Sequence, residues 1–377
     1  MHRRQFIAAA SAASLAAGAP RWLVAKTRQP LKILLLGGTR FLGIHMTELA
    51  LVRGHSVTFF NRGRTRPELL PQVEKLQGDR DGKLDALKGR KWDAVIDTSG
   101  YVPRHVRLSA ELLAPNVQQY LFISTIGLYA DFSKANDESS PVAKVDDEQR
   151  EDWQNAYGPL KALCEKAVAT AMPGRTTMVR PGLIVGPEDS TDRFTYWPAR
   201  AARGGEMIAP GAPHAPFQII DARDLAAFCL DALENRTLGV FNVTSPSEKF
   251  TTGDVISESV AAALALARPN PPPRPTWVSA EFLAEQKVAP FADMPGWMPP
   301  GGEMAGVQMG GLHQTNVERA MKAGLDISPL QKTTRDTLAW HLARPAAERQ
   351  ELKAGIKRER EMEVLAAWHA KTDRKAH

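Results

Sequence analysis

The stretch Leu31-Lys32-Ile33-Leu34-Leu35-Leu36-Gly37-Gly38-Thr39-Arg40-Phe41-Leu42-Gly43 joins a nearly continuous apolar run to a cluster of glycines. The apolar run predicts a strand that is buried on both faces of a parallel sheet. Residues 46–53 predict a helix and residues 56–60 a second strand, which together close a βαβ unit. Between the first strand and the helix, backbone N–H groups and the helix dipole can receive a pyrophosphate. We therefore expect a dinucleotide there, the alternative being a tight turn without a ligand, and the expected contacts are Gly37, Gly38, Thr39, Arg40, Phe41, Leu42 and Gly43.

Further apolar segments continue the alternation of strand and helix. Residues 94–97, 119–124 and 176–180 predict strands, and residues 240–243 predict a return strand into the same sheet. This alternation is typical of an α/β fold with a doubly wound parallel sheet, the Rossmann architecture. Beyond Arg180, proline, tryptophan and methionine become frequent, which indicates a smaller, loop-rich cap over a binding cleft.

These features divide the chain into four parts. We expect an export leader at residues 1–27, a dinucleotide-binding domain at residues 28–181 and 215–245, a discontinuous substrate-binding cap at residues 182–214 and 246–345, and a charged C-terminal helix or tail at residues 346–377.

The composition excludes several classes of protein. The 377 residues are 43% hydrophobic, which is ordinary for a folded chain, and the net charge of +6 is partly located at the two ends. A nucleic-acid-binding surface would require a concentrated basic stripe, and the middle of the sequence contains none, so no nucleic-acid partner is expected. Cys164 and Cys229 are the only cysteines, so neither a disulfide framework nor a cysteine metal site is expected. Because no long apolar run follows the N-terminal region, no membrane span beyond a leader is expected.

Residues 1–20 have the layout of a bacterial export signal. Arg3 and Arg4 precede a weakly apolar, alanine-rich stretch, and no acidic residue occurs before Glu48. Arg3-Arg4-Gln5-Phe6-Ile7 resembles the twin-arginine motif, and that resemblance implies export of an already folded protein, often around a bound cofactor. We expect a periplasmic protein whose cleavage point is left open. A cytoplasmic protein with an N-terminal extension is the alternative.

The glycine spacing Gly37-x-x-Arg40-x-x-Gly43 resembles that of the extended short-chain dehydrogenases, the NAD-dependent epimerase/dehydratase family, with the middle glycine replaced by arginine. The acid that holds the adenosine ribose in that family is replaced here by Asn61, which Arg62 and Arg64 follow. Loss of this acid and the nearby guanidinium groups favour a ribose 2′-phosphate. The resemblance therefore implies NADP or NAD as cofactor, with a preference for NADP and with Asn61 and Arg62 as contacts.

Other segments resemble further cofactor contacts of this family. Gly78-Asp79-Arg80-Asp81 resembles the segment whose aspartate meets the adenine amino group, which implies contacts by Asp79 and its neighbour Arg80. An ordinary turn is the alternative for this segment. Small residues after the strand at 94–97 would let the backbone lie against the cofactor. The expected set is completed by Thr98, Ser99, Gly100, Ser124 and Pro181.

Tyr157 and Lys161 are four residues apart, and helical geometry places both on one face. A tyrosine acts as a base at neutral pH only if nearby positive charge stabilises its phenolate, and Lys161 and an oxidised nicotinamide would supply that charge. Ile123-Ser124-Thr125-Ile126-Gly127-Leu128-Tyr129 resembles the family segment that carries a hydroxyl partner, which implies Thr125, with Ser124 as the alternative. In the implied mechanism Thr125 orients a substrate hydroxyl, Tyr157 removes its proton, and hydride passes to the nicotinamide. Tyr157 and Lys161 would also contact the cofactor.

The type of reaction is narrowed by two observations. Dehydratases of the family carry an acidic pair directly after the threonine, whereas Ile126 and Gly127 follow it here, which disfavours sugar-nucleotide dehydration. A periplasmic enzyme has no obvious pool of free dinucleotide, which favours a tightly held cofactor that is regenerated on the enzyme. We expect an epimerase or oxidoreductase whose small-molecule substrate is a sugar or glycoside. The expected substrate contacts are Arg193, Tyr196 and Arg200. The alternative is that these residues only pack in the fold.

Two other functions are left open by the sequence. The glycine loop GGTRFLG resembles that of an atypical branch of the family which contains chloroplast stem-loop RNA-binding proteins, and a salt-sensitive RNA complex would indicate that function. A cofactor-bearing scaffold without turnover is the other possibility. Retention of Thr125, Tyr157 and Lys161 favours the enzyme, and the sequence does not define an oligomeric state.

Overall fold

A computed structural model describes residues 29–304 and 307–376. The leader expected at residues 1–27 lies outside the described residues. The strands are β1 (Lys32–Leu36), β2 (Ser56–Asn61), β3 (Glu74–Gln77), β4 (Ala94–Asp97), β5 (Gln119–Ile123), β6 (Thr176–Pro181), β7 (Leu183–Val185), β8 (Gly205–Pro210), β9 (Ile219–Asp221), β10 (Gly239–Val243), β11 (Pro273–Val278), β12 (Pro290–Phe291), β13 (Met294–Pro295), β14 (Glu303–Met304) and β15 (Val307–Gln308).

Helices connect most of these strands. The α-helices are α1 (Leu42–Val52), α2 (Pro103–Leu113), α3 (Tyr157–Ala171), α4 (Tyr196–Ala202), α5 (Ala222–Glu234), α6 (Thr252–Leu266), α7 (Ala280–Glu285), α8 (Glu318–Lys322), α9 (Leu330–Ala343), α10 (Ala346–Gln350) and α11 (Arg358–Ala376). Three short 3₁₀ turns lie at Asp85–Leu87, Ala114–Asn116 and Ile126–Leu128.

Seven strands form one sheet in the order β10-β6-β5-β4-β1-β2-β3, and every neighbouring pair in it is parallel. The chain moves outward in one direction from β1 to β3 and then returns to add β4 on the other side of β1. The strand order therefore reverses between β1 and β4, where open α/β sheets bind their ligands beyond the carboxyl ends of the strands. The doubly wound parallel sheet expected from the sequence is confirmed.

The burial of β1 explains why a nearly all-apolar strand occupies the centre of the sheet. Successive side chains of a strand point to opposite faces, so Ile33 and Leu35 pack into one core and Leu34 and Leu36 into the other. All four side chains are fully buried. Helices α1 and α5 cover the first face, and helices α2 and α3 cover the second.

The expected strands at residues 94–97, 119–124, 176–180 and 240–243 all exist within a residue or two of their expected ends. The pattern did not reveal β3, because this strand lies at the edge of the sheet and its polar sequence Glu74–Gln77 is mostly exposed. The first helix begins at Leu42, directly after the glycine turn, and thus earlier than the apolar periodicity indicates.

The C-terminal lobe contains two small parallel strand pairs, β7 with β9 and β8 with β11, and the remaining helices. Helix α11 is anchored to this lobe by Glu361, whose carboxylate is buried and accepts hydrogen bonds from Arg200 Nε at 2.5 Å and Ile208 N at 3.1 Å. The charged C-terminal segment is thus packed along one face, where Val364 and Leu365 are also buried. The division of the chain into domains stays a prediction.

Both cysteines are buried free thiols. Within residues 29–304 and 307–376, no helix has the length and apolar character needed to cross a membrane.

We expect Glu361→Ala to lower the free energy of unfolding by about 3–5 kcal/mol, because it leaves the buried Arg200 guanidinium without its counter-charge. Glu359 on the same helix is exposed and provides the matched control, for which Glu359→Ala should change stability by less than about 0.5 kcal/mol. Urea unfolding followed by circular dichroism measures both values. Equal stabilities of the two variants would show that the C-terminal helix does not depend on this ion pair.

Candidate active site

The turn after β1 has a backbone that only glycine can adopt there. Gly37 and Gly38 have φ values of 103° and 89°, in the left-handed region. A Cβ atom at Gly38 would lie 2.6 Å from the Phe59 ring, and one at Gly43 would lie 2.6 Å from the Gly38 Cα. The first turn of α1 therefore packs directly on the end of β1, which leaves a backbone cradle that fits the pyrophosphate of a dinucleotide.

The rest of the glycine turn can offer backbone rather than side chains to a ligand. Thr39 and Leu42 are buried, and Phe41 is half-buried with a positive φ of 36°. At the start of α1, Gly43 N and Ile44 N already donate to the Arg40 and Phe41 carbonyls at 2.9 Å. An anion would therefore be received by the preceding part of the turn, at the positive end of the helix dipole. Among the seven expected contacts in this turn, Arg40 alone carries an exposed charged side chain.

Asn61 connects the end of β2 to the glycine turn. Its Nδ2 donates to the Gly37 carbonyl at 3.0 Å, and its Oδ1 accepts from Gly63 N at 2.8 Å. Arg62 follows with an exposed side chain, and Arg40 reaches the same loop through a 3.4 Å hydrogen bond to Thr65 Oγ1. Two guanidinium groups therefore flank the strand end where the family's ribose-binding acid is missing.

Arg80 does not serve the role expected for it. Its Nη1 and Nη2 donate to the two oxygens of Asp97 at 2.8 and 2.7 Å, and Nη2 also donates to Ser109 Oγ at 2.7 Å. The side chain is almost completely buried, so the assignment as a cofactor contact is corrected to that of a structural counter-ion. The neighbouring Asp79 is half-buried, and its carboxylate accepts from Asp81 N at 3.1 Å, so it caps its own turn.

The end of β4 is bound to the end of β1 by side-chain hydroxyls. Thr98 Oγ1 and Ser99 Oγ donate to the Leu36 carbonyl at 3.0 and 3.2 Å. A Cβ atom at Gly100 would lie 2.4 Å from the Phe122 ring, so the backbone there passes close to β5. Thr98 and Ser99 lie beside Gly37 of the glycine turn. The expected contacts of all three residues with a cofactor stay predictions.

Ser124 and Pro181 follow the same edge of the sheet. Ser124 lies directly after β5, and its buried Oγ has no hydrogen-bond partner among the described residues. Pro181 is the buried last residue of β6. Their positions are compatible with the expected contacts, which stay predictions.

Thr125 and Tyr157 come together at the carboxyl edge of the sheet. Thr125 Oγ1 caps the 3₁₀ turn Ile126–Leu128 by accepting from Gly127 N at 3.0 Å. A Cβ atom at Gly127 would lie 3.2 Å from Thr125 Oγ1 and 3.9 Å from Tyr157 Cε1, so both side chains border this glycine. A Cβ atom at Gly158 would lie 2.3 Å from the Gly127 carbonyl oxygen. The absence of a side chain at residue 158 therefore allows the start of α3 to lie against this turn.

Lys161 is buried one turn further along α3. Its Nζ donates to the carbonyl of Gly100, three residues after β4, at 2.8 Å and to that of Ile123, the last residue of β5, at 2.6 Å. An ammonium has three N–H donors, and the third has no partner among the described residues. The Nζ atom also lies 4.1 Å from the Phe122 ring centroid and 5.4 Å from the Tyr101 ring centroid. Lysine and tyrosine thus share a helix face but differ in exposure.

The electrostatics of the two groups oppose catalysis unless positive charge is added. Desolvation raises the pKa of Tyr157 to about 12, and the hydrogen bond with Thr125 and the charge of Arg193 act in the opposite direction. Burial lowers the pKa of Lys161 to about 8. A phenolate at residue 157 therefore requires a further cation at neutral pH, which the oxidised nicotinamide of a dinucleotide can provide.

Of the three expected substrate contacts, Arg193 lies near Tyr157, whose pKa its charge lowers. Arg193 lies at the end of a loop that packs over α1. In this contact the Pro187 carbonyl oxygen of the loop lies 2.9 Å from His45 Nε2 of α1. Tyr196 and Arg200 are instead buried in the C-terminal lobe, where Arg200 holds Glu361 and Tyr196 packs on Gly355. These two assignments are corrected to packing residues, because neither side chain is accessible to a substrate.

Two aromatic residues beside Tyr157 were not predicted from the sequence. The Tyr101 and Trp153 ring centroids are 5.0 Å apart, and the Tyr101 and Tyr157 centroids are 6.3 Å apart. Tyr101 directly follows Gly100 at the end of β4, which is the signal that could have identified it. Trp153 lies in an irregular segment, and no pattern in the sequence marks it. Among the described residues, no group of His, Cys, Asp or Glu is arranged to hold a metal ion.

Comparisons with known proteins agree with this geometry. Chloroplast stem-loop binding protein of 41 kDa b from Arabidopsis thaliana is 27% identical over 286 residues, which cover 70% of each chain. The Bordetella bronchiseptica enzyme WbmH, solved in complex with NAD+, matches with a TM-score of 0.58 at 16% identity, over 84% of this chain and 99% of that one. The human epimerase family protein SDR39U1, solved with NADPH, matches with a TM-score of 0.51 at 22% identity, over 82% and 99%. The model of the NAD dependent epimerase/dehydratase family matches residues 33–244, so the chain belongs to that family.

Proposed function

We infer that this protein is an NAD(P)-dependent epimerase or oxidoreductase that acts on a sugar or glycoside through Thr125, Tyr157 and Lys161. The observation that carries this proposal is that Thr125 and Tyr157 border the same glycine, Gly127, at the sheet edge that also holds the glycine turn: a Cβ atom there would lie 3.2 Å from Thr125 Oγ1 and 3.9 Å from Tyr157 Cε1. Two hydroxyls at one edge of the sheet can bind the oxygen of a substrate alcohol and exchange its proton. The adjacent buried lysine fixes the two strand ends on either side.

The chain's residues account for the proton transfers of an alcohol oxidation. Thr125 donates to or accepts from the substrate oxygen and so orients it, while the Tyr157 phenolate takes the hydroxyl proton as the carbonyl forms. A bound nicotinamide supplies the acceptor for the hydride that leaves the same carbon. In the reverse direction Tyr157 returns the proton to the carbonyl oxygen, and the alcohol is regenerated. A bound nicotinamide that returned the hydride to the opposite face of the carbon would supply the chemistry of an epimerase.

Two observations support NADP as the cofactor. Asn61 uses its amide on the Gly37 carbonyl and the Gly63 N–H, so no carboxylate stands at the strand end to repel a phosphate. The exposed guanidinium groups of Arg40 and Arg62 flank that position, since Arg40 contacts Thr65 of the same loop. Guanidinium groups bind phosphate through paired, charge-assisted hydrogen bonds.

Replacement of Arg40 and Arg62 by glutamine should lower the affinity for NADP by about tenfold or more and leave the affinity for NAD nearly unchanged, since one charge-assisted contact is worth about 1.5–3 kcal/mol. Arg107→Gln, at an exposed position on α2, is the control for general charge loss. Calorimetric titration with each dinucleotide gives the ratio of the NADP affinity to the NAD affinity. An unchanged ratio in the double variant would contradict the NADP preference.

Tyr157→Phe keeps the ring and removes the acid/base oxygen, so turnover should fall by about 10²-fold or more while dinucleotide affinity is largely retained. The transient formation of reduced nicotinamide on the dinucleotide-loaded protein is followed by its near-ultraviolet absorbance in a single turnover with a panel of methyl glycosides. In the native protein this rate should rise with pH, because the phenolate is the base. Tyr196→Phe is the matched control and should retain the native rate, since its buried hydroxyl has no partner among the described residues. Native turnover by Tyr157→Phe would refute the mechanism.

We also propose that the protein works in the periplasm with a tightly bound cofactor that is reduced and reoxidised in one catalytic cycle. Support comes from the twin-arginine-like segment Arg3-Arg4-Gln5-Phe6-Ile7, because that route carries folded proteins. A reporter fused after residues 1–30 should reach the periplasm of a bacterial host only when the twin-arginine translocase is present. Replacement of Arg3 and Arg4 by lysine should retain it in the cytoplasm. Cytoplasmic retention of the unaltered fusion would overturn this proposal.

A further inference from the structure

Three aromatic side chains form one exposed surface around the proposed catalytic hydroxyl. Tyr101, Trp153 and Tyr157 are 39%, 41% and 39% exposed, respectively, and we call them the aromatic platform. The Tyr101 ring plane makes an angle of 40° with the Trp153 ring and of 38° with the Tyr157 ring. Tryptophan and tyrosine bury most of their surface in folded proteins, and adjacent exposed rings mark places where a ligand is bound.

The platform is held in place by ion pairs rather than by its own contacts alone. Arg104, at the start of α2, pairs with Asp81 at 2.7 Å and with Glu151 at 2.6 Å. Because Glu151 lies two residues before Trp153, this guanidinium fixes the segment that presents Trp153 against the Tyr101 ring. The Tyr101 ring in turn lies over the Lys161 ammonium, which is bonded to two strand ends. Side-chain contacts therefore connect the exposed rings to the carboxyl edge of the sheet.

The charge of the segment that carries Trp153 disfavours phosphate. Residues 146–156, which carry Trp153, contain five acidic residues and one basic residue, Arg150. Glu151 is neutralised by Arg104, and Glu148 by Lys166 at 3.2 Å. Even with these pairs the segment offers no surplus of positive charge, and the cation near the platform, Arg193, acts on Tyr157. A pyrophosphate placed against Trp153 would therefore meet carboxylates of this segment. A neutral ligand meets no such penalty.

A saturated ring with C–H groups on its face and hydroxyl groups at its edge fits both the aromatic surface and the lack of surplus positive charge. Its apolar face can stack on the tryptophan and tyrosine rings, and a hydroxyl at its edge can reach Tyr157. We propose that Trp153 and Tyr101 form the substrate subsite, and that the substrate is a neutral, non-nucleotide sugar ring stacked on them beside the Tyr157 hydroxyl. This inference rests on the proposed function, because it places the reacting carbon next to the proposed base.

The test measures binding of three probes to the dinucleotide-loaded protein by calorimetry. They are neutral methyl pyranosides, UDP-glucose and a single-stranded RNA oligonucleotide. At least one methyl pyranoside should bind with an affinity that does not depend on salt, and Trp153→Ala should weaken it by about tenfold or more. Trp153→Phe should restore most of the affinity because it retains a ring. Trp340→Phe, in helix α9, is the control and should bind the methyl pyranoside as the native protein does. All variants should bind the dinucleotide with equal affinity.

The possible outcomes separate this inference from the proposed function. Preference for UDP-glucose over every neutral glycoside, or glycoside binding that Trp153→Ala does not weaken, overturns the subsite. RNA binding that is lost in Trp153→Ala would assign the platform to base stacking instead and also overturns it. Binding of a glycoside that depends on Trp153, without even transient formation of reduced nicotinamide in a single turnover, supports the subsite and refutes the proposed oxidation. If Trp153→Ala oxidises the glycoside with an unchanged KM, the proposed oxidation is supported and the subsite is refuted.

Discussion

The Asp97 carboxylate lies fully buried at the end of β4, where its two oxygens accept from both Nη atoms of Arg80. The same carboxylate accepts from the Tyr120 hydroxyl at 2.8 Å and from Ser99 N at 3.0 Å. A buried ion pair contributes little net stability, but removal of either partner leaves a charge in the interior. This pair therefore fixes the loop after β3, the end of β4 and the adjacent β5 relative to one another, and the ligand-binding edge of the sheet depends on that arrangement.

The parallel sheet was predictable because its strongest signals are local. The apolar run of β1, the glycines and the spacing to β2 lie within about thirty residues, which is the length of one βαβ unit. Strand β3 was missed because a polar edge strand has no apolar pattern. The contact of α11 with β8 joins Glu361 to Ile208 across 153 residues of sequence. No local pattern encodes such a contact, so the packing of the C-terminal helix had to be found in the structure.

The same distinction separates the correct and incorrect parts of the site. Glycines that a tight turn requires, and a tyrosine and a lysine on one helix, are recognisable from spacing alone. The destination of a long charged side chain is decided by tertiary contacts, which is why Arg80 and Arg200 were assigned to ligands and instead hold Asp97 and Glu361. The aromatic platform was missed for the related reason that Tyr101 and Trp153 meet only after the chain has folded.

The contact between Gly158 and the Gly127 carbonyl has a consequence for how the two reacting hydroxyls are set apart. Helix α3 and the turn at Thr125 approach until only a hydrogen atom at residue 158 separates them, so their spacing is a hard-sphere limit rather than a balance of weak attractions. Reaction rates respond to displacements of about 1 Å in the reacting groups. Gly158 thus sets the distance between helix α3 and the turn at Thr125, although it carries no functional group of its own.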